Sequence, residues 1–216
     1  MTRAWLLAAL LLAGAPRPAL VDVRSAAPDI KVDLSYAHSE NAFHTRLYSA
    51  NRALLRPAVA ARLARVQARL RKQRLGLKIW DAYRPQSVQV RMWRLRPDGH
   101  KLYIANPRKG SKHSRGAAVD VTLVDRSGRE LPMPTPHDSF SPLAHRNAIR
   151  GVSATARHNR GVLEDAMRAE GFHPNPMEWW HFDAPDWSSY SLMDAPITYP
   201  QGRKAWPHSA VSPPPK

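Results

Sequence analysis

The chain contains no cysteine among its 216 residues. This absence excludes a disulfide framework, a zinc site built from thiolates and a cysteine nucleophile. Any metal ion must therefore be bound by histidine, aspartate or glutamate. The sequence has ten histidines and 17 acidic residues from which such a site could be formed.

Acidic residues are few compared with the 33 lysines and arginines, and the formal charge is +16. Such a balance attracts polyanions, including nucleic acid, anionic lipid and acidic cell-wall polymers. Five arginines follow one amphipathic segment, which is typical of the solvated face of a helix: Arg62, Arg65, Arg69, Arg71 and Arg74. No zinc-finger, RRM or KH signature accompanies the charge. We therefore expect electrostatic association with acidic wall or membrane surfaces and no specific binding of nucleic acid.

The N-terminal apolar run is too short to span a bilayer as a mature helix. Residues 1–15 instead combine a positive start at Arg3, an apolar stretch at 4–12 and the small residues Ala13-Gly14-Ala15. This order is typical of a secretory signal peptide. We predict cleavage between residues 15 and 27, and a periplasmic or secreted bacterial protein.

A hydrophobic content of 43% and seven tryptophans indicate a folded protein. The length suits one compact domain with its own core. We predict that this domain spans residues 28–190. Residues 191–216, which end in a run of serine and proline, should form a partly disordered C-terminal tail.

Hydrophobic periodicity predicts an alternation of helices and strands. The predicted helices are 56–74, 86–95 and 155–170, and the predicted strands are 32–36, 75–83, 116–124 and 179–182. Residues 131–153 form a long connection rich in proline and serine, of the kind that often lines a site. We therefore expect an α+β fold in which a small antiparallel sheet carries the functional site and helices cover its other face.

His113 and Asp120 lie seven residues apart in Ser111–Asp120, the segment that we place at the centre of the site. In a regular strand an odd separation puts two side chains on opposite faces. The pair can converge only if the backbone turns between them, and Gly116 can permit that turn. Taken alone, this pair is weak support for a metal site, and His44 in an upstream loop is an additional candidate ligand.

A second motif, Glu178-Trp179-Trp180-His181, supplies another histidine with a glutamate three residues before it. Two imidazoles and one aspartate can hold Zn²⁺ and leave one coordination position open for water. A glutamate at this spacing could take a proton from that water without binding the metal. The alternative interpretation is an aromatic core strand with polar residues at its edges. The combination favours a secreted zinc peptidase.

Arg84 directly follows the predicted strand 75–83, where a permanent charge is expected to meet an anion. In a peptidase that anion is the tetrahedral oxyanion or a substrate carboxylate. The alternative is a salt bridge to Asp81. Both can hold, since Asp81 could orient Arg84.

Three motifs carry a resemblance to a known family. They are Trp80-Asp81-x-Tyr83-Arg84-Pro85, Ser111-x-His113-x-x-Gly116-x-Ala118-x-Asp120 and Glu178-Trp179-Trp180-His181. In this order they resemble the D-alanyl-D-alanine dipeptidases of the vancomycin-resistance type, zinc D,D-peptidases related in fold to the hedgehog signalling domain. The resemblance runs from about residue 32 to about residue 182.

The resemblance implies one Zn²⁺ bound by His113, Asp120 and His181. It implies that Glu178 is the catalytic base and that Arg84 stabilises the transition state during hydrolysis of D-Ala-D-Ala in peptidoglycan metabolism. Three further residues are candidates for substrate binding: Asp138 for the free amino group, Ser111 for the carboxylate end, and Asp81.

Two alternative functions would use the same set of residues. One is a D,D- or L,D-carboxypeptidase that trims peptidoglycan stem peptides, which an open cleft near Asp138 would favour. The other is a wall-binding zinc module without turnover. Pure binding needs no base, so the presence of both Glu178 and Arg84 argues against that module.

Overall fold

The computed structural model describes residues 19–96 and 102–200. The proposed signal segment and most of the C-terminal tail therefore lie outside the described residues. The described part has the predicted α+β architecture, with helices packed on a five-stranded sheet. No helix within these two ranges has the length and apolar character needed to cross a membrane.

Four α-helices occur in the described ranges: α1 (Val23–Ala26), α2 (Pro57–Arg71), α3 (Gln86–Leu95) and α4 (Ala154–Arg168). Helix α2 confirms the periodicity of the sequence, because Val59, Leu63, Val66 and Leu70 form its buried stripe. Pro57 occupies the first turn, where its missing N–H leaves no internal bond unmade.

The strands form two sheets. They are β1 (Val21–Asp22), β2 (Lys31–Val32), β3 (Leu54–Leu55), β4 (Gly76–Asp81), β5 (Ala118–Val124), β6 (His173–Pro174) and β7 (His181–Asp183). Strands β1 and β3 form a small antiparallel pair, and the main sheet has the order β2-β4-β5-β7-β6. The main sheet is antiparallel except for the edge pair β2–β4, which is parallel. It is therefore a mixed sheet, where we expected an antiparallel one.

Strand β5 lies in the middle of this sheet, and all seven of its residues are buried. Val119, Val121 and Leu123 belong to the hydrophobic core. Because side chains alternate along a strand, Asp120 lies on the opposite face from these three. Helices α2 and α4 contact each other, α2 contacts β4, and α4 contacts β5.

Two segments differ from the expectation. The predicted strand 32–36 is reduced to β2, and the chain then turns into a 3₁₀ helix at Ser35–Ala37. Residues 191–200, predicted as the start of the tail, lie against the domain. Gln86 donates its N–H to the Met193 carbonyl at 3.0 Å, and Tyr83 donates to the Ala195 carbonyl at 3.0 Å. The folded unit therefore extends beyond residue 190.

Candidate active site

Asp120 and His181 are direct cross-strand neighbours in the antiparallel pair β5–β7. Side chains at opposed positions share a face, so the register alone brings these two together. Asp120 also pairs with Asp81 of β4, next to a register shift between Ile79 and Asp81. Strand β5 thus places the Asp120 carboxylate between Asp81 on β4 and His181 on β7.

His113 approaches the same point from a short 3₁₀ turn, His113–Arg115, that precedes β5. Gly116 ends this turn in the left-handed region with φ 67°, and its N–H donates to the His113 carbonyl at 2.9 Å. A Cβ atom at Gly116 would lie 2.6 Å from a Leu20 methyl carbon, so any side chain here would also require Leu20 to move. The bend that the odd spacing required is therefore present, and a glycine makes it.

The three candidate ligands converge through one atom each. His113 Nε2 lies 3.1 Å from His181 Nδ1, His181 Nδ1 lies 3.0 Å from Asp120 Oδ1, and His113 Nε2 lies 3.5 Å from Asp120 Oδ1. Ligand atoms on a tetrahedral zinc ion with bonds of roughly 2.0–2.1 Å are about 3.3 Å apart. The donor set and its spacing therefore fit a zinc ion. Among the described residues, this is the one group of three with such spacing, and His44 lies outside it at an exposed position.

In His113 and His181, a hydrogen bond to one ring nitrogen leaves the other nitrogen free to bind a metal ion. The Ala82 carbonyl lies 2.7 Å from His113 Nδ1, and the Asp183 carboxylate lies 2.9 Å from His181 Nε2. Both oxygens can only accept, so each of these nitrogens carries a proton. In the neutral rings, His113 Nε2 and His181 Nδ1 then present lone pairs to a metal ion.

The electrostatics of this cluster favour a cation. Burial opposes the charged form of Asp120, yet the nearby imidazoles, with His113 the strongest, hold the pKa of Asp120 well below its usual range. Without a metal ion, burial would lower the pKa of His181, but hydrogen bonds to Asp120 and Asp183 raise it to about 10, so Nδ1 carries a proton that a bound metal ion would replace. Two carboxylates thus attract positive charge to this point.

Glu178 lies beside the three candidate ligands but is not one of them. Its Oε2 is 3.8 Å from His181 Nδ1 and accepts a hydrogen bond from Asn175 Nδ2 at 2.8 Å. Burial raises the pKa of Glu178 to about 7. A carboxylate of this kind is suited to exchange protons near neutral pH.

Arg84 and Asp81 form a buried ion pair. Arg84 Nε donates to Asp81 Oδ2 at 3.0 Å, and Arg84 Nη1 donates to Gln89 Oε1 at 2.8 Å. Asp81 also accepts from the Tyr48 hydroxyl at 2.7 Å and has no exposed surface. Asp81 therefore orients Arg84 and is out of reach of a substrate. This geometry corrects the prediction of Asp81 as a substrate-binding residue and supports its alternative role.

These groups surround a cavity of about 440 Å³. Its lining includes Arg84, Ser111, His113, Asp120, Asp138, Glu178 and His181. The long connection contributes to this cavity, as expected, through Asp138 and Phe140. The structure thus brings the predicted catalytic and metal-binding side chains to one cavity, together with two of the three predicted substrate contacts.

Asp138 and Ser111 have additional contacts within the protein. Both Asp138 oxygens accept from the Tyr36 hydroxyl, at 3.2 and 2.9 Å, and burial raises the pKa of Asp138. Asp138 adopts a positive φ of 56°, an unusual conformation for a residue other than glycine. Ser111 Oγ accepts the His113 N–H at 3.2 Å, so it supports the turn that carries a candidate ligand.

Sequence reasoning missed Asp183, Asn175, Tyr36 and Gln89. Asp183 had a recognisable signal, because residues two apart on a strand share a face and Asp183 follows His181 by two. No comparable sequence signal marked Asn175, Tyr36 or Gln89. Tyr36, for example, meets Asp138 across 102 residues of chain.

Comparison with known proteins agrees with this geometry. The family model described as D-Ala-D-Ala dipeptidase, peptidase family M15, matches residues 17–201. The Escherichia coli K12 D-alanyl-D-alanine dipeptidase is 36% identical over 174 residues, covering 81% of this chain and 89% of the relative. The dipeptidase of the same name from Streptomyces coelicolor is 36% identical over 152 residues, covering 62% and 75%. That of Enterococcus faecium is 31% identical over 173 residues, covering 69% and 83%. The chain therefore belongs to the D-Ala-D-Ala dipeptidase family of M15 peptidases.

Proposed function

We propose that this protein is a zinc-dependent dipeptidase that hydrolyses D-Ala-D-Ala in peptidoglycan metabolism. One observation carries the proposal. Ligand atoms of His113, Asp120 and His181 lie 3.0 to 3.5 Å apart in a cavity that Glu178 and Arg84 also line. Family membership supports the choice of substrate, because the curated relatives are named D-alanyl-D-alanine dipeptidases.

His113, Asp120 and His181 would hold the zinc ion. When bound, Zn²⁺ supplies a Lewis acid that polarises a carbonyl and brings the pKa of water to about 7. Glu178 takes the proton from the attacking water and passes it to the leaving amine. Its position beside the ligands and its raised pKa support this role.

Arg84 donates hydrogen bonds to the oxyanion that forms as the peptide carbonyl is attacked. Its guanidinium lines the cavity and is held from behind by Asp81 and Gln89. A donor that is already in place does not have to reorganise during the reaction, which is the main source of such stabilisation.

Asp138 binds the free amino group of the dipeptide. Its carboxylate lines the cavity, and a bound ammonium group would favour ionisation of this buried acid. Ser111 lines the same cavity and would bind the carboxylate end of the dipeptide. Recognition of both charged ends favours a dipeptide over a longer stem peptide, because burying an unpaired terminus is unfavourable.

The decisive experiment is a hydrolysis assay that offers D-Ala-D-Ala, L-Ala-L-Ala and a stem pentapeptide side by side, with and without a chelator. We expect cleavage of D-Ala-D-Ala alone and its loss on chelation. Release of D-Ala from the pentapeptide would instead identify a carboxypeptidase. Zinc bound without any cleavage would identify a binding module.

Elemental analysis tests the metal ligands separately. His113→Ala should lose zinc, because the two remaining protein ligands are too few to hold the ion. His44→Ala is the matched control, since it removes an exposed histidine outside the cluster. Unchanged zinc content in His113→Ala would exclude this residue as a ligand.

We further propose that the chain is exported to the periplasm or secreted, where its positive charge favours association with acidic wall or membrane surfaces. Support comes from the order of charged, apolar and small residues in 1–15 and from the net charge of +16. Intact-mass measurement of the exported protein tests cleavage between residues 15 and 27. Retention of Met1 would contradict it.

A further inference from the structure

Asp183 lies directly behind the ring of His181. The two residues are separated by one position in β7, so their side chains share a face of the sheet. Asp183 Oδ1 is 2.9 Å from His181 Nε2, and its side chain is only 9% exposed. This contact holds the proton on Nε2 and turns Nδ1 toward Asp120 and His113.

Lys112 engages the other oxygen of the same carboxylate. Its Nζ donates to Asp183 Oδ2 at 2.6 Å. Lys112 immediately precedes His113, and its carbonyl accepts the N–H groups of Arg115 and Ala117, both at 3.1 Å. The lysine is therefore anchored in the turn that carries His113. Through Asp183, it links that turn to the strand that carries His181.

We propose that Asp183 and Lys112 are a pair of positioning residues for the metal site. Asp183 fixes the proton and the orientation of the His181 ring. Lys112 ties that carboxylate to the turn that presents His113. The pair thereby joins the turn that carries His113 to the strand that carries His181, and neither member of the pair is itself a candidate ligand. The inference rests on the proposed function, in which this site binds zinc.

The contacts predict a graded loss of metal affinity. Removing a carboxylate behind a ligand histidine typically weakens metal binding roughly 10- to 100-fold, and we expect this range for Asp183→Ala. Asp183→Asn should have a smaller effect, because its amide oxygen can still accept from His181 Nε2. Lys112→Met should also have a smaller effect, because the lysine is 37% exposed and its ion pair is partly screened.

A matched control tests whether any lysine–carboxylate pair on this sheet has the same effect. Lys78 on β4 contacts Asp33 at 2.7 Å and Glu130 at 2.9 Å, and it does not line the cavity of the site. Lys78→Met removes a comparable pair without touching a ligand. We expect its zinc affinity to equal that of the unchanged protein.

The experiment measures zinc affinity of the full chain by competition with a chromophoric chelator, together with the visible spectrum of the Co²⁺-substituted protein. Weaker zinc binding and an altered Co²⁺ spectrum in Asp183→Ala, with a smaller loss in Lys112→Met and none in Lys78→Met, support the proposal. If Asp183→Ala does not fold, Asp183→Asn is compared with Lys78→Met instead, and zinc binding weaker than in that control, by less than the loss expected for Asp183→Ala, supports the proposal.

Two failures can be told apart. If the unchanged protein binds zinc and the Asp183 and Lys112 variants bind it equally well, the positioning role is overturned and the proposed function stands. If the unchanged protein binds no zinc, both the zinc-dependent function and this inference are overturned. Equal losses in Lys112→Met and Lys78→Met would also overturn the role of Lys112, since they would reflect a general loss of charge.

Discussion

Two arginine–carboxylate pairs in this protein have similar contacts and different surroundings. Arg84 Nη2 lies 2.5 Å from Asp81, and the two side chains are 8% and 0% exposed. Arg65 Nε lies 2.7 Å from Glu170, and the two side chains are 53% and 11% exposed. The buried pair borders the candidate active site, whereas the second pair joins an exposed arginine of α2 to Glu170, just beyond the end of α4. Burial therefore distinguishes two pairs whose distances alone would look equivalent.

Burial changes what each pair does. Removing one partner of a buried pair leaves an uncompensated charge, a loss of roughly 3–5 kcal/mol, whereas an exposed pair contributes about 0–1 kcal/mol. Asp81 also accepts from Tyr48, and Arg84 also donates to Gln89, so the orientation of the guanidinium is determined by several contacts. The buried charges therefore orient a catalytic side chain, whereas the surface charges contribute little to stability.

Glu178→Gln should produce the largest effect within the buried region. Removing a general base lowers the rate by roughly 10²- to 10⁴-fold. Zinc should stay bound, because Glu178 is not one of the three candidate ligands. Glu170→Gln makes the same chemical change on the surface and should leave turnover unchanged. Kinetic assays with D-Ala-D-Ala and elemental analysis test both variants, and undiminished turnover in Glu178→Gln would refute the base assignment.

Arg84→Ala should lower kcat by roughly 100- to 1000-fold if Arg84 stabilises the oxyanion. The variant should also melt at a lower temperature, because Asp81 loses its buried partner. Arg84→Lys retains the charge without the forked geometry and should recover stability more fully than turnover. Steady-state kinetics and thermal melts separate these effects. A change confined to KM would reassign Arg84 to substrate anchoring.

The pH dependence of stability should have opposite signs in the two regions. Burial raises the pKa of Glu178 from 4.5 to about 7, so the folded, zinc-free protein holds this proton more tightly than the unfolded chain does. Its contribution is present below pH 4.5 and is lost as pH rises through about 7. In the zinc-free protein, Glu178→Gln should therefore be stabilising at pH 8, by about 3 kcal/mol, and close to neutral in acid.

Glu170 provides the contrast. A hydrogen bond from Arg65 lowers the pKa of Glu170 below 4.5, so its contribution is present above that value and is lost on acidification. Glu170→Gln should thus be destabilising at pH 8. Denaturant titrations of both variants at pH 3 and pH 8, one on each side of this window, test these signs. The same sign in both variants would contradict the comparison.

Much of this site could be predicted from local patterns. The periodicity of α2 and the apolar run of β5 were visible in the sequence, and Gly116 was identifiable as the residue that lets His113 and Asp120 converge. The pairing of Asp120 with His181 was not visible, because the register between β5 and β7 depends on the whole sheet. Contacts such as Tyr36–Asp138 depend in the same way on tertiary packing.

Arg65→Ala should produce the smallest effect, and it tests the exposed region directly. Its pair with Glu170 lies on the surface, and Arg69 contacts the same carboxylate at 3.1 Å, so the acid keeps a partner. Loss of an exposed pair should change the free energy of unfolding by less than about 1 kcal/mol, and this small change should shrink further at high salt. Turnover should stay unchanged, because Arg65 is not among the residues that line the active-site cavity. Chemical denaturation at two salt concentrations measures this effect, and a loss as large as that of Arg84→Ala would show that burial does not separate the two pairs.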